Sequence, residues 1–283
     1  ISGTIMVSGS ILHMVLGPFL IFGLLGLPAL GLAGAAWANL IARLLVFIVT
    51  IYVLAYREHL LSYTQLTFQA AMDSWRRIMA VSIPATATNL IGPVSTAIVI
   101  SLLASFSQEA VAGFGIASRI EGLFVIPLFA LSASIGPFVG QNLGADRHDR
   151  ADAAMIWSFK YSLGWGALVA ILLYFLRNEV SALFDDNTTV IEVAALYLLL
   201  VPVSYGSWGV LMMASAIFNS LGKPVSSTIM SIIRMFVLYI PLAFLGKWAF
   251  GMPGIFLASA ASNILMGIIA FRWNRRTYHP DYL

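Results

Sequence analysis

An uncharged stretch long enough to cross a bilayer is the feature that most constrains this chain. It runs from Gly122 to Ala145, and Arg119 and Glu121 lie just before it. About 20 mainly apolar residues suffice for a transmembrane helix. Similar runs recur along the sequence, which is 60% hydrophobic and 10% charged, with a mean hydropathy of +0.93. We therefore expect an all-α, polytopic membrane protein and exclude a soluble globular domain.

Eight transmembrane helices are predicted from these runs and from the Gly and Pro residues between them. They cover approximately residues 4–23, 30–56, 78–108, 110–141, 151–176, 188–217, 225–246 and 253–273. Pro202 should kink the sixth helix, because proline removes a backbone donor. Between the second and third helices, residues 58–77 place apolar side chains at helical spacing among polar ones. This pattern indicates an amphipathic connector on the cytoplasmic membrane surface.

The charges of the loops predict the orientation. With Ile1 on the cytoplasmic side, the cytoplasmic segments hold nine of the fifteen Lys and Arg residues, and the opposite segments hold two. Lys and Arg accumulate in cytoplasmic loops. We therefore expect a multi-pass protein of a bacterial-type cytoplasmic (inner) membrane, with the tail, residues 274–283, in the cytoplasm. The net charge of +3 then reflects topology and does not indicate a nucleic-acid partner.

The sequence also resembles itself at a constant offset of 224 or 225 residues. Three pairs of segments match in order: Ser2–Met6 with Ser226–Met230, Gly26–Pro28 with Gly251–Pro253, and Asn39 with Asn263. Such matches predict a repeat. Residues 1–57 are then the last two helices of a truncated N-terminal lobe, and residues 78–273 form one complete six-helix C-terminal lobe. Parallel repeats of this kind have the same orientation in the membrane.

Small side chains recur every four residues in the fourth predicted helix. They are Ser132, Gly136, Gly140 and Gly144. Small residues at this spacing let the backbone of a neighbouring helix approach closely. We expect a tight helix pair along this stripe.

Several motifs resemble the multidrug and toxic compound extrusion (MATE) family of transporters. They are Ala117–Glu121, Val139–Ala145 with Arg147, Arg150 and Ala151, Gly26–Pro28 through Gly34–Ala36, and Asn219–Pro224. The resemblance covers essentially the whole chain, which would correspond to helices five to twelve of a twelve-helix protein. It implies a secondary active antiporter that exports organic cations and drugs in exchange for H⁺ or Na⁺, by alternating access between two lobes.

The sequence also bears on two other classes of function, a lipid flippase and an enzyme. A flippase for lipid-linked oligosaccharides has a related architecture, and basic residues in the spans would suit its pyrophosphate. An intramembrane enzyme is not expected, because the sequence has no Gly-x-Ser-x-Gly or His-Glu-x-x-His motif and no paired carboxylates within the predicted spans. We expect no catalytic residues, no metal site and no cofactor beyond the transported ion. The expected partners are small organic cations or amphipathic drugs and the lipid bilayer, and the protein is expected to be a monomer.

Glu121 is the foremost candidate site residue, because no other carboxylate lies well inside a predicted span. It is roughly 16 Å from the outer end of its helix at 1.5 Å per residue. A carboxylate in hydrocarbon is costly without a partner or water. Glu121 could therefore bind a proton or cation, or lie on the drug pathway. It could also form a structural ion pair with a basic residue such as Lys160 or Arg234, or simply be in contact with water.

Basic residues inside the spans extend the candidate pathway. Arg43, Lys160 and Arg234 outnumber Glu121, so some of them must face water or snorkel. A watery lumen between helix bundles explains them together. His13 could relay protons, because histidine side chains serve as proton shuttles, although a lone His is also commonly hydrogen-bonded to a neighbour.

Polar and aromatic residues complete the candidate set. Asn89 could face substrate, or it could cap carbonyls that Pro93 frees. Tyr205, Trp208 and Met212 in the sixth span suit a plastic drug-binding surface. Ordinary helix packing explains these three side chains as well.

Overall fold

The structure is a computed structural model that describes residues 2–26, 28–58 and 67–278. In this part of the chain the regular elements are helices: α1 (Ser2–Phe22), α2 (Gly31–Tyr52), α3 (Phe68–Ala104), α4 (Gln108–Gly144), α5 (His148–Ala182), α6 (Thr188–Leu200), α7 (Tyr205–Ser220), α8 (Pro224–Ile232), α9 (Ile240–Phe250) and α10 (Met252–Tyr278). The chain divides into two compact units, Ile1–Ala80 and Val81–Leu283.

Seven segments of the described residues are long and apolar enough to cross a membrane. They are Gly3–Phe22, Gly31–Arg57, Gln108–Gly144, His148–Ala182, Thr188–Ser220, Pro224–Phe250 and Met252–Thr277. The predicted third span falls on α3, which contains the apolar segment Leu90–Ala104. The prediction of an all-α, polytopic membrane protein is confirmed.

The predicted amphipathic connector is described only in part. Residues 59–66 lie outside the described residues. From Phe68 onward the chain is already helical, and α3 continues without interruption to Ala104. The second half of the predicted connector is therefore the beginning of α3.

In the first unit, α1 and α2 pack against each other as an antiparallel hairpin. A Cβ atom at Gly34 would overlap the backbone of Leu20, so glycine is what lets the two helices meet there. The N–H of Leu30 donates to the carbonyl of Leu20 at 3.1 Å, so the residue before α2 is hydrogen-bonded to the end of α1. Gly26 and Gly31 have positive φ, which glycine adopts without steric cost.

In the second unit, the helix pair α6–α7 and helix α10 form the interior. In the most apolar 18-residue stretch of Thr188–Ser220, 61% of the residues are buried inside the protein, and in that of Met252–Thr277 the share is 56%. In the other spans of this unit the share is 28% or less. Helix α7 packs on α4, α5 and α10. Side chains on several faces of α6 and α7 therefore contact protein.

Pro202 divides the sixth predicted span, as expected. Helix α6 ends at Leu200, residues Pro202–Ser204 form a 3₁₀ turn, and α7 begins at Tyr205. Proline cannot donate the backbone hydrogen bond that a continuous α-helix needs at this point. The predicted kink is confirmed, and the turn forms a joint between two buried helices.

The small-residue stripe of α4 packs against α7. A Cβ atom at Gly136 would lie 3.0 Å from the carbonyl oxygen of Ala216, and one at Gly140 would lie 3.5 Å from the Cβ of Ser220. Gly144 has no such neighbour within 4 Å. The predicted close approach of two helices is confirmed at Gly136 and Gly140.

A π-helical turn, Ile233–Tyr239, lies between α8 and α9. Such a turn uses i→i+5 hydrogen bonds and contains one residue more than an α turn. Arg234 and Tyr239 are five residues apart and line the same cavity. In a regular α-helix they would point to different sides.

Candidate functional site

The carboxylate of Glu121 on α4 faces the joint between α6 and α7. The hydroxyl of Tyr197 donates to Glu121 Oε2 at 2.7 Å, and the hydroxyl of Tyr205 donates to the same oxygen at 3.0 Å. Both tyrosines are buried, with 6% and 1% of their surface exposed. Hydrogen bonds to a charged acceptor are stronger than neutral ones. These two offset part of the cost of a carboxylate inside a membrane span.

Arg234, in the π turn, lines the same cavity. Its Nη1 donates to Oδ1 of Asn263 at 3.0 Å, and Nδ2 of Asn263 donates to Oγ of Ser204 at 3.0 Å. The guanidinium carbon lies 5.9 Å from the centre of the Trp208 ring. These partners are neutral, so an amide and an aromatic face hold this cation.

Glu121 and Arg234 do not form a direct ion pair. Among the described residues, opposite charges meet within 4.0 Å at Arg57 with Glu58 and at His148 with Asp146. The negative and positive groups of the cavity are therefore enclosed together but separated. The space between them is available to water, an ion or a ligand.

The cavity has a volume of about 250 Å³. Its walls come from α3, α4, α6, α7, the π turn and α10, and include Gly92, Ser95, Thr96, Ser118, Glu121, Tyr197, Trp208, Arg234, Tyr239, Ser259 and Asn263. Pockets for drug-sized ligands occupy roughly 300–1,000 Å³. In this form the cavity has room for waters, an ion or one part of a larger molecule.

Several oxygen atoms that could contact a cation lie around Glu121. Its carboxylate and the hydroxyls of Tyr197 and Tyr205 meet at one point, and Ser118 lines the cavity beside them. Oxygen atoms are the ligands that hard cations prefer. Within the described ranges, no group of three or more His, Cys, Asp and Glu side chains is placed to hold a metal ion. A carboxylate in this position can take up a proton or contact a cation through its oxygen atoms.

A second pocket, of about 530 Å³, lies between α1 and α2 in the first unit. His13 and Arg43 line it together with Ser10, Asn39 and Thr50. Nε of Arg43 donates to Oδ1 of Asn39 at 2.6 Å. None of the described residues that line this pocket is acidic, so it is polar and basic.

The remaining predicted site residues lie elsewhere. Lys160 is exposed, with its Nζ 5.1 Å from the centre of the Trp157 ring, and it lines a different groove. Met212 is half-buried and packs against the hydrophobic core. The side chain of Asn89 lies outside the described part of the structure. The predicted residues that the structure brings together at one place are Glu121, Tyr205, Trp208 and Arg234.

Tyr197, Tyr239 and Asn263 belong to the site but were not singled out from the sequence. The available signal for Asn263 was its match with Asn39 in the repeat, and both accept a hydrogen bond from an arginine. In the sequence, Tyr197 is indistinguishable from an ordinary packing residue of an apolar helix. Tyr239 reaches the cavity because of the π turn, which a 3.6-residue period does not anticipate.

Loss of either tyrosine hydroxyl should destabilise the second unit. We expect Tyr197→Phe and Tyr205→Phe each to lower the free energy of unfolding by about 1–3 kcal/mol, because a hydrogen bond to a charged group is lost. Thermal unfolding of the purified protein in detergent, followed by tryptophan fluorescence, measures this as a lower Tm. Tyr161→Phe is the matched control, since Tyr161 is exposed and its ring stacks on Trp165. Equal Tm values for all three variants would contradict the assigned hydrogen bonds.

The profile of the MatE family matches residues 84–245. The chain belongs to the MatE family. The matched segment contains Glu121, Tyr197, Tyr205 and Arg234, so these residues of the site lie within the part of the chain that resembles the family. The resemblance that the sequence motifs indicated is confirmed.

Three relatives illustrate the similarity of this MatE chain to known proteins. A Shewanella oneidensis protein named "FAD transporter" is 33% identical over 276 residues, covering 98% of this chain and 61% of that protein. The "Probable multidrug resistance protein YoeA" of Bacillus subtilis is 26% identical over 289 residues, covering 96% and 61%. A crystal structure of the Vibrio cholerae MATE transporter VcmN in the bent form is 29% identical, with a TM-score of 0.78, covering 98% and 63%. The chain thus spans about three fifths of the length of these relatives.

Proposed function

We propose that this MatE chain belongs to a secondary active antiporter that exports organic cations and amphipathic drugs in exchange for H⁺ or Na⁺. Family membership and the relatives named as transporters or multidrug resistance proteins support a transporter, not an enzyme. The observation that carries the proposal is Glu121, a carboxylate inside a membrane span that contacts two tyrosine hydroxyls instead of a basic residue. Ionisable groups in such positions mark ion and substrate pathways.

In this mechanism Glu121 alternates between a charged state and a state neutralised by H⁺ or Na⁺. Neutralisation weakens the hydrogen bonds from Tyr197 and Tyr205, because these bonds are strongest to a charged acceptor. The two tyrosines lie on opposite sides of the turn at Pro202. A change of charge at Glu121 therefore acts on the joint between α6 and α7, and its two states favour different packings of that joint. The proposed transport cycle alternates access between two lobes.

We also propose that the transporter is a monomer of the cytoplasmic membrane with its C-terminus in the cytoplasm. The excess of Lys and Arg in one set of loops supports this orientation. Labelling of single cysteines introduced into the cysteine-free chain would test it from each side of the membrane.

A flavin dinucleotide is a second candidate substrate. It is favoured by the relative named "FAD transporter" and by the basic pocket that contains His13 and Arg43. A guanidinium matches the geometry of a phosphate. The flippase alternative has less support, because Lys160 and Arg234 line different cavities of the second unit.

Transport by the full-length protein in sealed lipid vesicles tests these proposals. A pH gradient and a Na⁺ gradient are imposed separately, and the uptake of ethidium or FAD is followed by fluorescence. We expect one of the two gradients to drive ethidium accumulation well above that in protein-free vesicles. Accumulation of FAD alone would favour the second candidate. Absence of both fluxes under both gradients would contradict an antiporter.

A further inference from the structure

We propose that a basic groove of the second unit binds the headgroup of an anionic phospholipid. The groove lies between α5, α7 and α10 and has a volume of about 650 Å³. Lys160, Arg272 and Arg275 supply its positive charge. The rest of its lining is mainly apolar and includes Phe159, Leu163, Val210, Ile268 and Phe271. The proposed transport mechanism uses none of these residues.

Among the described residues, none of the three cations of the groove has an acidic partner within 4.0 Å. Ion pairs within 4.0 Å among the described residues involve other side chains, and none of the groove's described lining residues is acidic. Lys160 contacts the face of Trp157 instead. A cation in a membrane span is costly unless it reaches water or an anion. A phosphodiester would supply the missing negative charge.

The order of residues along the groove matches the order of groups in a phospholipid. Arg272 and Arg275 lie near the C-terminal end of α10. Lys160 is twelve residues after the start of α5, and its aliphatic chain is long enough to carry the ammonium group toward them and toward the membrane surface. Beyond them, at the deeper end, a Cβ atom at Gly267 would lie 2.6 Å from the carbonyl oxygen of Ser207, so α7 and α10 close the floor. Leu163 is exposed beside this floor. A headgroup at the basic end thus leaves an apolar wall for an acyl chain.

Charge decides which lipid fits. A phosphatidylglycerol headgroup has one net negative charge, whereas a phosphatidylcholine headgroup has its own ammonium group and no net charge. Basic pockets between transmembrane helices are known to suit anionic headgroups. The groove should therefore discriminate between these two lipids, although both have the same acyl chains.

Native mass spectrometry of the full-length protein, released from micelles that contain phosphatidylglycerol or phosphatidylcholine, tests this proposal. We expect the triple variant Lys160→Gln/Arg272→Gln/Arg275→Gln to retain phosphatidylglycerol less well, by about fivefold for each cation removed, with phosphatidylcholine unchanged. The matched control is Arg147→Gln/Arg150→Gln/Lys223→Gln, which removes three exposed charges outside the groove. This control should retain phosphatidylglycerol like the unmodified protein.

Three results would overturn the proposal. Equal losses in the triple variant and the control would mean general attraction of anionic lipid, and no loss in either would mean that the groove is not the site. Displacement of the lipid by millimolar inorganic phosphate would mean a site for free anions. The single variant Lys160→Gln, at an exposed position, provides the same comparison if the triple variant does not purify as a monodisperse protein. Vesicle transport by the antiporter is measured separately, so failure here leaves the proposed function untouched.

Discussion

Glu121→Gln is expected to abolish ion-driven transport in a protein that still folds. Glutamine has the same shape and keeps an oxygen that accepts hydrogen bonds from Tyr197 and Tyr205. It cannot take up a proton or carry a negative charge, so the proposed cycle stops. We expect uptake no higher than in protein-free vesicles under either gradient. The free energy of unfolding should fall by only about 1 kcal/mol, because the hydrogen bonds become neutral instead of charge-assisted.

The measurement compares uptake per molecule of reconstituted protein with expression level and Tm. Glu179→Gln is the matched control, because Glu179 is an exposed acid near the end of α5 and does not line the cavity. It should transport like the unmodified protein. Normal uptake per molecule by Glu121→Gln, together with poor expression and a low Tm, would assign Glu121 a structural role and contradict the mechanism.

Gly166→Ala should be among the most destabilising single substitutions in the chain. A Cβ atom at Gly166 on α5 would overlap the backbone of Gly206, the second residue of α7. Backbone atoms cannot rotate away as a side chain can, and Ser162 Oγ also ties the helices together by donating to the carbonyl of Gly206 at 3.0 Å. Overpacking a tight contact costs about 1–3 kcal/mol, occasionally more. We expect the upper part of that range or loss of the folded protein.

Gly164→Ala is a control only two residues away on the same helix. An added Cβ there has no neighbour within 4 Å. Because alanine favours a helix over glycine by about 1 kcal/mol, this variant should be as stable as the parent or slightly more stable. Tm and the yield of monodisperse protein in detergent distinguish the two. Similar values for both variants would show that α5 and α7 do not meet backbone to backbone at this point.

Local properties of the sequence predicted much of the fold. Uncharged runs and their Gly and Pro boundaries located the spans, because the bilayer sets the length of a helix. The break at Pro202 and the close approach at Gly136 and Gly140 were predicted because proline and glycine act on their immediate surroundings. Each of these features needs only a few neighbouring residues.

The arrangement of the cavity could not be predicted in the same way. The hydroxyls that contact Glu121 come from residues 76 and 84 positions later, so the pairing depends on how α4 packs against α6 and α7. Lys160 and Arg234 both lie inside predicted spans, and the sequence left either of them as a basic partner for Glu121. The structure separates them, since Arg234 lines the cavity and Lys160 lines another groove. Depth along a span does not determine the direction in which a side chain points.

The wide turn at Ile233–Tyr239 has a consequence for comparing sequences in this family. If the same residues formed a regular α-helix, at about 100° per residue, Tyr239 would be turned about 140° away from Arg234. Tyr239 would then leave the wall that it shares with Arg234, although the length and apolarity of the segment would be the same. An alignment that treats this segment as a regular helix would therefore assign the wrong inward-facing residues from this turn to the end of α9.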